Sequence, residues 1–138
     1  MKTEQPLLIT SIVASTDLSK NHFVGFDGNL PQANSKPLGV VNADTAAGNL
    51  CPVLVNGIAL VKSGSVIQRG SAVTTNASGK AVSVSNFVVS VPQGSVNVMS
   101  TSSFPVLLQS GGVLPQSVAG YALDEASGTD QLIRVLLT

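Results

Sequence analysis

Residues 66–85, VIQRGSAVTTNASGKAVSVS, contain two short apolar segments separated by a turn signal. The central residues 76–80 combine Asn, Ser and Gly, which are the residue types that reverse a backbone. After them, residues 81–85 alternate apolar and polar side chains with period two, which is typical of a strand with one buried face. This stretch therefore predicts a β-hairpin.

Similar segments precede the hairpin, and they predict further strands at 22–26, 38–41, 51–55 and 58–61. Asn56-Gly57, between the last two, predicts a hairpin turn. Strands at a spacing of about ten residues indicate an all-β sandwich or barrel.

We therefore expect a compact β-sandwich or barrel-like domain of short antiparallel strands with hairpins, preceded by an extended N-terminal arm. Residues 1–20 are predicted to be this arm or an edge strand. Residues 21–138 are predicted to be a single β-domain, with an insertion at 84–111.

Charge and composition exclude several classes of function. Of the 138 residues 10% are charged, and seven Lys and Arg balance seven Asp and Glu. A net charge of zero provides no electrostatic footprint for nucleic acid or an anionic membrane. One Cys and one His cannot supply a disulfide framework or a Cys/His metal cage within one copy of the chain.

One long segment, residues 81–123, contains no charged side chain. Charged residues normally protect free strand edges from pairing with other chains. The strands of this segment are therefore covered either by their own chain or by neighbours, and the composition favours an oligomer.

The chain contains an internal repeat of sequence. Gly28-Asn29-Leu30-Pro31-Gln32 is followed by residues 38–48 and 52–55, and Gly112-Val113-Leu114-Pro115-Gln116 is followed by residues 119–128 and 134–137. The shared order is a Leu-Pro-Gln turn, a strand led by Gly, an acidic turn rich in Ala and Gly, and an apolar strand. This order predicts two related β-hairpin units that share one core.

The sequence motifs indicate no catalytic residue, no cofactor site and no metal site. His22, as the only imidazole, would have to serve any Ser-His-acid triad, and a solvated or packed side chain fits its surroundings better. Cys51 lies in an apolar segment and is interpreted as a small core residue. Asp124, Glu125 and Asp130 are candidate calcium ligands, but the glycine spacing of an EF-hand loop is missing.

The segments 70–82, 37–55 and 119–137 resemble a family of small tailed-phage capsid proteins. Members of this family are decoration, or cement, proteins, and related domains anchor head fibres. The resemblance covers residues 21–83 and 112–138, and it implies a β-domain that assembles as trimers on the outside of an icosahedral head.

In that role the trimers would occupy local three-fold positions, bind the major capsid protein and stabilise neighbouring capsomers. The expected location is the outer capsid surface of the virion, after a soluble state in the host cytoplasm. Thr10 and Ser11 interrupt the apolar N-terminal segment, so a secretory signal is not predicted.

The N-terminal arm is the predicted element of capsid contact. It could add a strand to a capsid sheet edge, where main-chain hydrogen bonds give affinity without a sequence motif. Its apolar side chains are the candidate contact residues: Pro6, Leu7, Leu8, Ile9, Ile12 and Val13.

Two alternatives remain open from the sequence. The first is a receptor- or carbohydrate-binding β-module of a fibre or adhesin, for which the candidate residues are Asn86, Phe87, Asn97 and Phe104. The second is a small trimeric enzyme with a site between subunits, which would use His22 or the acidic turns.

Overall fold

The computed structural model describes residues 2–84 and 117–138. These residues contain strands and turns but no helix, which confirms the all-β prediction. The strands are β1 Gln5–Val13, β2 Phe23–Val24, β3 Gly39–Val41, β4 Leu50–Lys62, β5 Ala72–Thr75, β6 Ala81–Ser83, β7 Gly120–Ala122 and β8 Leu132–Leu137.

The strands form one nearly closed, barrel-like sheet in which every named pair is antiparallel. The order is β2-β3-β4-β8-β7-β5-β6, and β1 also pairs with β4. Backbone hydrogen bonds join the β2 end to the β5–β6 hairpin, including Phe23 N to Gly79 O at 2.7 Å and Asn34 N to Thr75 O at 2.9 Å. The hairpin predicted from residues 66–85 is confirmed as β5 and β6.

The predicted hairpin turn at Asn56-Gly57 is wrong, because β4 continues through both residues. Gly57 has a φ of 112°, and a Cβ there would lie 2.8 Å from Leu7 N and would overlap the carbonyl oxygen of Gln5. The glycine therefore admits the β1 backbone at close range and does not reverse the chain. Two predicted strands are in fact one strand of 13 residues.

Two parts of the chain repeat one structural unit, and we name them the N-half (residues 9–55) and the C-half (residues 58–137). In the N-half, β1 pairs with the first part of β4, which pairs with β3, and β3 pairs with β2. In the C-half, the second part of β4 pairs with β8, which pairs with β7, and β7 pairs with β5. Strand β4 is thus the last strand of one unit and the first strand of the next.

The equivalence extends to individual hydrogen bonds. Leu18 and Thr45 exchange two backbone bonds of 2.8 and 2.9 Å in the N-half, and their counterparts Ile67 and Ala126 exchange two of 2.9 and 2.8 Å in the C-half. The repeated order of strands predicted from the sequence is therefore present in the backbone geometry.

The halves differ in the length of one connection. Asn29 and Leu38 are nine positions apart, whereas their counterparts Lys80 and Ala119 are 39 apart. The predicted insertion at 84–111 falls in this longer connection. All but the first of its residues lie outside the described residues, as do Gly112 to Gln116, and the domain boundaries stay a prediction.

The prediction of one shared core is right only in part, because one hydrophobic cluster lies within the N-half and a second, in the C-half, takes in side chains from both halves. The N-half cluster consists of Ala14, Leu18, Val24, Val41, Cys51 and Val53. The C-half cluster contains the counterparts of the last five, Ile67, Val73, Ala122, Ile133 and Val135. It also contains three side chains from the N-half, Phe23, Val40 and Leu54.

Gly39 and Gly120 occupy equivalent positions in which a side chain does not fit. A Cβ on Gly39 would lie 2.9 Å from Val53 Cγ1 and would overlap the carbonyl oxygen of Leu54. A Cβ on Gly120 would lie 2.9 Å from Val135 Cγ1 and would overlap the carbonyl oxygen of Leu136. The glycine that leads each repeat is thus required by the close approach of two neighbouring backbones.

We expect Gly39→Ala and Gly120→Ala each to lower the free energy of unfolding by about 1–3 kcal/mol, because the backbone must shift to admit the methyl group. Urea unfolding measures this. Gly128→Ala is the matched control, since its Cβ would lie 4.0 Å from the nearest atom, Gln131 Nε2. Equal effects at all three positions would contradict the close-approach argument.

Candidate functional site

The predicted N-terminal arm forms the edge strand β1 in this structure. It runs antiparallel to β4 from the pair Gln5 and Ile58 to the pair Val13 and Leu50, with register shifts on both sides of Leu8. Within the described residues, β4 is the one strand that pairs with β1. The second edge of β1 therefore carries main-chain groups that a further strand can bind.

Most candidate contact side chains on β1 are exposed. The exposed fraction is 79% for Leu7, 57% for Leu8 and Val13, and 43% for Ile9. Pro6 is exposed as well, whereas Ile12 is partly buried against the N-half cluster.

Exposure on both faces distinguishes β1 from the other strands. Residues 5–11 are all exposed, although successive side chains of a strand point to opposite faces. Burial of one Leu or Ile side chain contributes about 1.5–3 kcal/mol. This strand can therefore supply apolar contacts on both faces and hydrogen bonds along its edge, which is the chemistry of strand addition. The role of these residues in contact stays a prediction.

The other residues singled out from the sequence lie apart from this strand. His22 Nδ1 lies 3.0 Å from the carbonyl oxygen of Lys20. Cys51 is fully buried in the N-half cluster, in agreement with its interpretation as a core residue. The carbohydrate candidates Asn86, Phe87, Asn97 and Phe104 lie outside the described residues.

Two of the three acidic candidates bond to separate cations. Arg134 donates from Nε to Asp124 Oδ2 at 3.0 Å and from Nη2 to Oδ1 at 3.1 Å, and Asp130 pairs with Lys80. Glu125, the third candidate, is exposed. In the described part of the chain, no group of three His, Cys, Asp or Glu side chains is arranged to hold a metal ion.

The hydrogen bonds from the Arg134 side chain lower the pKa of Asp124 from 3.8 to about 2, and the Arg134 backbone amide adds to this effect. Asp124 is 7% exposed and also lies in the acidic turn of the C-half. In the N-half, Asp44 accepts a hydrogen bond of 2.7 Å from the backbone amide of Lys20. In each half, an aspartate of the acidic turn therefore accepts a hydrogen bond from a backbone amide.

Sequence reasoning missed a second exposed apolar group on the C-half sheet. Tyr121 and Leu136 form a cross-strand pair between β7 and β8, and they are 45% and 42% exposed. Their repeat counterparts, Val40 and Leu54, are 3% and 1% exposed. The sequence repeat makes the two pairs equivalent, but only the structure shows that the N-half pair is covered and the C-half pair is exposed.

The fold and the exposed strand define a small all-β domain suited to binding by surface contact. Among the residues described, none forms a helix with the length and hydropathy of a membrane span. A sequence model for the phage cement protein family matches residues 1–137, and the chain belongs to this family. It is therefore a structural protein of the phage head that associates with the capsid.

The fold is also similar to a solved structure, the N base of the head fiber gp8.5 of bacteriophage phi29. The TM-score is 0.63 at 18% sequence identity, over 95% of this chain and 93% of that chain. At this identity the likeness concerns the fold alone. No curated protein sequence matches the chain.

We expect Asp124→Asn to lower the free energy of unfolding at pH 7 by roughly 1–2 kcal/mol, less than the full pKa shift implies because Arg134 is partly exposed to solvent. Since the folded pKa is depressed, the stabilisation is present above about pH 4 and is lost as the pH falls toward 2. Urea unfolding at pH 7, 4 and 2 measures the difference from the unchanged protein.

The control for this variant is Glu125→Gln, at the exposed neighbouring position. We expect it to change stability little at any of the three pH values. A deficit in Asp124→Asn that is the same at pH 2 and pH 7 would mean that the charge on Asp124 does not stabilise the fold.

Proposed function

We propose that this protein is a cement protein that binds the outside of the icosahedral head as a homotrimer at local three-fold positions and stabilises neighbouring capsomers. Its partner is the major capsid protein, and the chain is soluble in the host cytoplasm before assembly. The observation that carries the proposal is β1, an edge strand of a phage cement protein with apolar side chains exposed on both faces.

A cement protein requires adhesion and no reactive group. An edge strand provides this through main-chain hydrogen bonds to a second sheet, together with apolar side chains that enter surface pockets. Three linked copies that engage together raise the overall affinity without any new type of contact. The proposed role is therefore structural and not catalytic.

Within β1, Leu7 and Leu8 are the most suitable residues for a test, because they are exposed and their loss leaves the hydrophobic clusters intact. Deletion of the whole strand would uncover one edge of β4 and remove Ile12 from the N-half cluster. Point variants therefore separate contact from folding more clearly than truncation does.

We expect Leu7→Asp and Leu8→Asp each to weaken binding to heads assembled without this protein by roughly tenfold or more, since each replaces an apolar side chain that the proposed contact with the head would bury. Co-sedimentation with heads over a range of protein concentrations measures the affinity.

The matched control is Val66→Asp, at an exposed apolar position outside β1, where the side chain is 62% exposed. We expect this variant to bind as the unchanged protein does. Unaltered affinity in both leucine variants, with their urea midpoints also unaltered, would contradict the assignment of β1 to capsid contact.

The proposed homotrimer predicts a molar mass in solution near three times 14.0 kDa. Light scattering across a range of concentrations measures it. A monomer at every concentration would contradict assembly before attachment, whereas the head-binding experiment would still test the capsid role.

A further inference from the structure

The regular part of the β1 edge is a short segment. The register with β4 shifts on both sides of Leu8, and Pro6 lies in this irregular part. From Ile9 to Val13 the pairing with β4 is continuous, and these five residues include no Pro and no charged side chain. Bulges, Pro and charges are the features that normally keep a free strand edge from pairing with another strand. Residues 9–13 lack all of them, and we name their second edge the open edge of β1.

The contacts of β4 show which main-chain groups of β1 point away from it. Pro52, which lies opposite Ser11, has no N–H to donate. Its carbonyl oxygen accepts a hydrogen bond of 2.9 Å from Asn42 N, which directly follows β3, so this oxygen faces the edge of β4 away from β1. Pro52 therefore offers Ser11 neither a donor nor an acceptor. Both the N–H and the C=O of Ser11 point to the open edge.

The neighbouring residues have the opposite orientation. Ala14 N donates to Asn49 O at 2.9 Å, so residue 14 directs its amide toward the segment that leads into β4. Hydrogen-bonded and non-hydrogen-bonded pairs alternate along an antiparallel ladder. The even-numbered residues of the segment 9–13 therefore bond to β4, whereas the odd-numbered residues direct their main-chain groups to the open edge.

The loop after β2 ends the open edge. Ser15 N donates to Gly28 O at 3.0 Å, so the next amide that points away from β4 is already bonded. A Cβ on Gly28 would overlap the carbonyl oxygen of Val13, which shows that the loop also covers this oxygen. The groups left for a partner are the N–H of Val13, both groups of Ser11 and those of Ile9. They extend over about 13 Å of strand, the length of a short extended segment.

The equivalent edge in the C-half is occupied by the chain itself. At the spacing of the other repeat counterparts, Ile58 and Lys62 of β4 correspond to Ile9 and Val13 of β1. Ile58 pairs with the first residue of β1, and Lys62 N donates to Asn21 O at 2.9 Å. Main-chain bonding thus satisfies this edge in one repeat, and no strand in the described part of the chain does so in the other.

The side chains beside the open edge determine what kind of segment fits it. Val13 and Leu50 form a cross-strand pair in which they are 57% and 69% exposed, and Ile9 is 43% exposed. An added strand would place alternate side chains beside these apolar residues. A charged residue would find no opposite charge on residues 9–13. The segment that fits is about five residues long, uncharged, and apolar at alternate positions.

We propose that such a segment of the major capsid protein adds to the open edge as an antiparallel strand, with Ser11 at the centre of the new ladder. Ser11 exchanges both of its main-chain groups with the added strand, as one member of a hydrogen-bonded pair. The inference rests on the proposed function and specifies which main-chain groups of β1 bind the head. Its partner is recognised through the backbone and through apolar side chains.

Proline at the open edge tests main-chain binding separately from side-chain contact. Ser11→Pro removes an N–H that β4 does not use, so we expect the urea midpoint to stay close to that of the unchanged protein. We expect its binding to heads assembled without this protein to be weaker by roughly tenfold or more, because a carbonyl group of the added strand loses its donor. Co-sedimentation measures the affinity. The matched control, Ser11→Ala, keeps the N–H and is expected to bind as the unchanged protein does.

Two further measurements test the assigned direction of the amides. Thr10→Pro removes an amide that points to β4, and it is expected to lower the urea midpoint more than Ser11→Pro does. Residue-resolved hydrogen exchange tests the same point in the unchanged protein. The Ser11 amide is expected to exchange rapidly in the free protein and roughly tenfold or more slowly on heads, whereas the Thr10 amide is expected to be slow in both. If Ser11→Pro does not fold, the exchange result decides.

Several results would overturn the inference, and they bear differently on the proposed function. If Ser11→Pro binds heads normally while Leu7→Asp does not, β1 contacts the capsid through side chains alone and the proposed function stands. If the Ser11 amide is protected in a free monomer, another part of the same chain occupies the edge. If its protection in the free protein rises with concentration, a second copy occupies it. If Ser11→Pro, Leu7→Asp and Leu8→Asp all bind normally, the assignment of β1 to the capsid fails together with the inference.

Discussion

Backbone pairing along β4 is the constraint on which the rest of the structure depends. This strand of 13 residues pairs with β1 on one edge and with β3 and then β8 on the other. Antiparallel pairing fixes register, and a shift of one residue would turn every side chain to the opposite face. The register along β4 therefore determines which of its side chains enter the two hydrophobic clusters. Gly57 admits the β1 backbone at close range, so that β4 continues from the N-half into the C-half.

The same arrangement leaves apolar surface at the ends of the repeat. Val40 and Leu54 of the N-half pack in the C-half cluster, whereas their counterparts Tyr121 and Leu136 remain exposed. The few charged residues of the chain are consistent with surfaces that other proteins cover, because charges are depleted at the centres of interfaces. In a protein of the phage cement family, we propose that the exposed apolar residues are contact surfaces.

The sequence predicted the parts of the fold that local chemistry determines. Turn residues at 76–80 and alternation at 81–85 identified the β5–β6 hairpin, and the glycines at 39 and 120 marked the repeat. The predicted turn at Asn56-Gly57 is wrong because the same residue types suit both a turn and a close approach of two backbones. The candidate residues on β1 could be named from their apolarity, but exposure depends on neighbours distant in the sequence. For that reason Tyr121 and Leu136 could not be distinguished from Val40 and Leu54.

The unequal connections in the two halves have a consequence for the order of folding. The N-half closes its sheet across nine positions between Asn29 and Leu38, whereas the C-half closes across 39 positions between Lys80 and Ala119. By chain length alone, the longer closure costs about 1 kcal/mol more in conformational entropy. All strands of the N-half also leave the ribosome before β8 exists. We therefore expect the N-half to form first during synthesis and to provide a folded edge, β4, on which the C-half is completed.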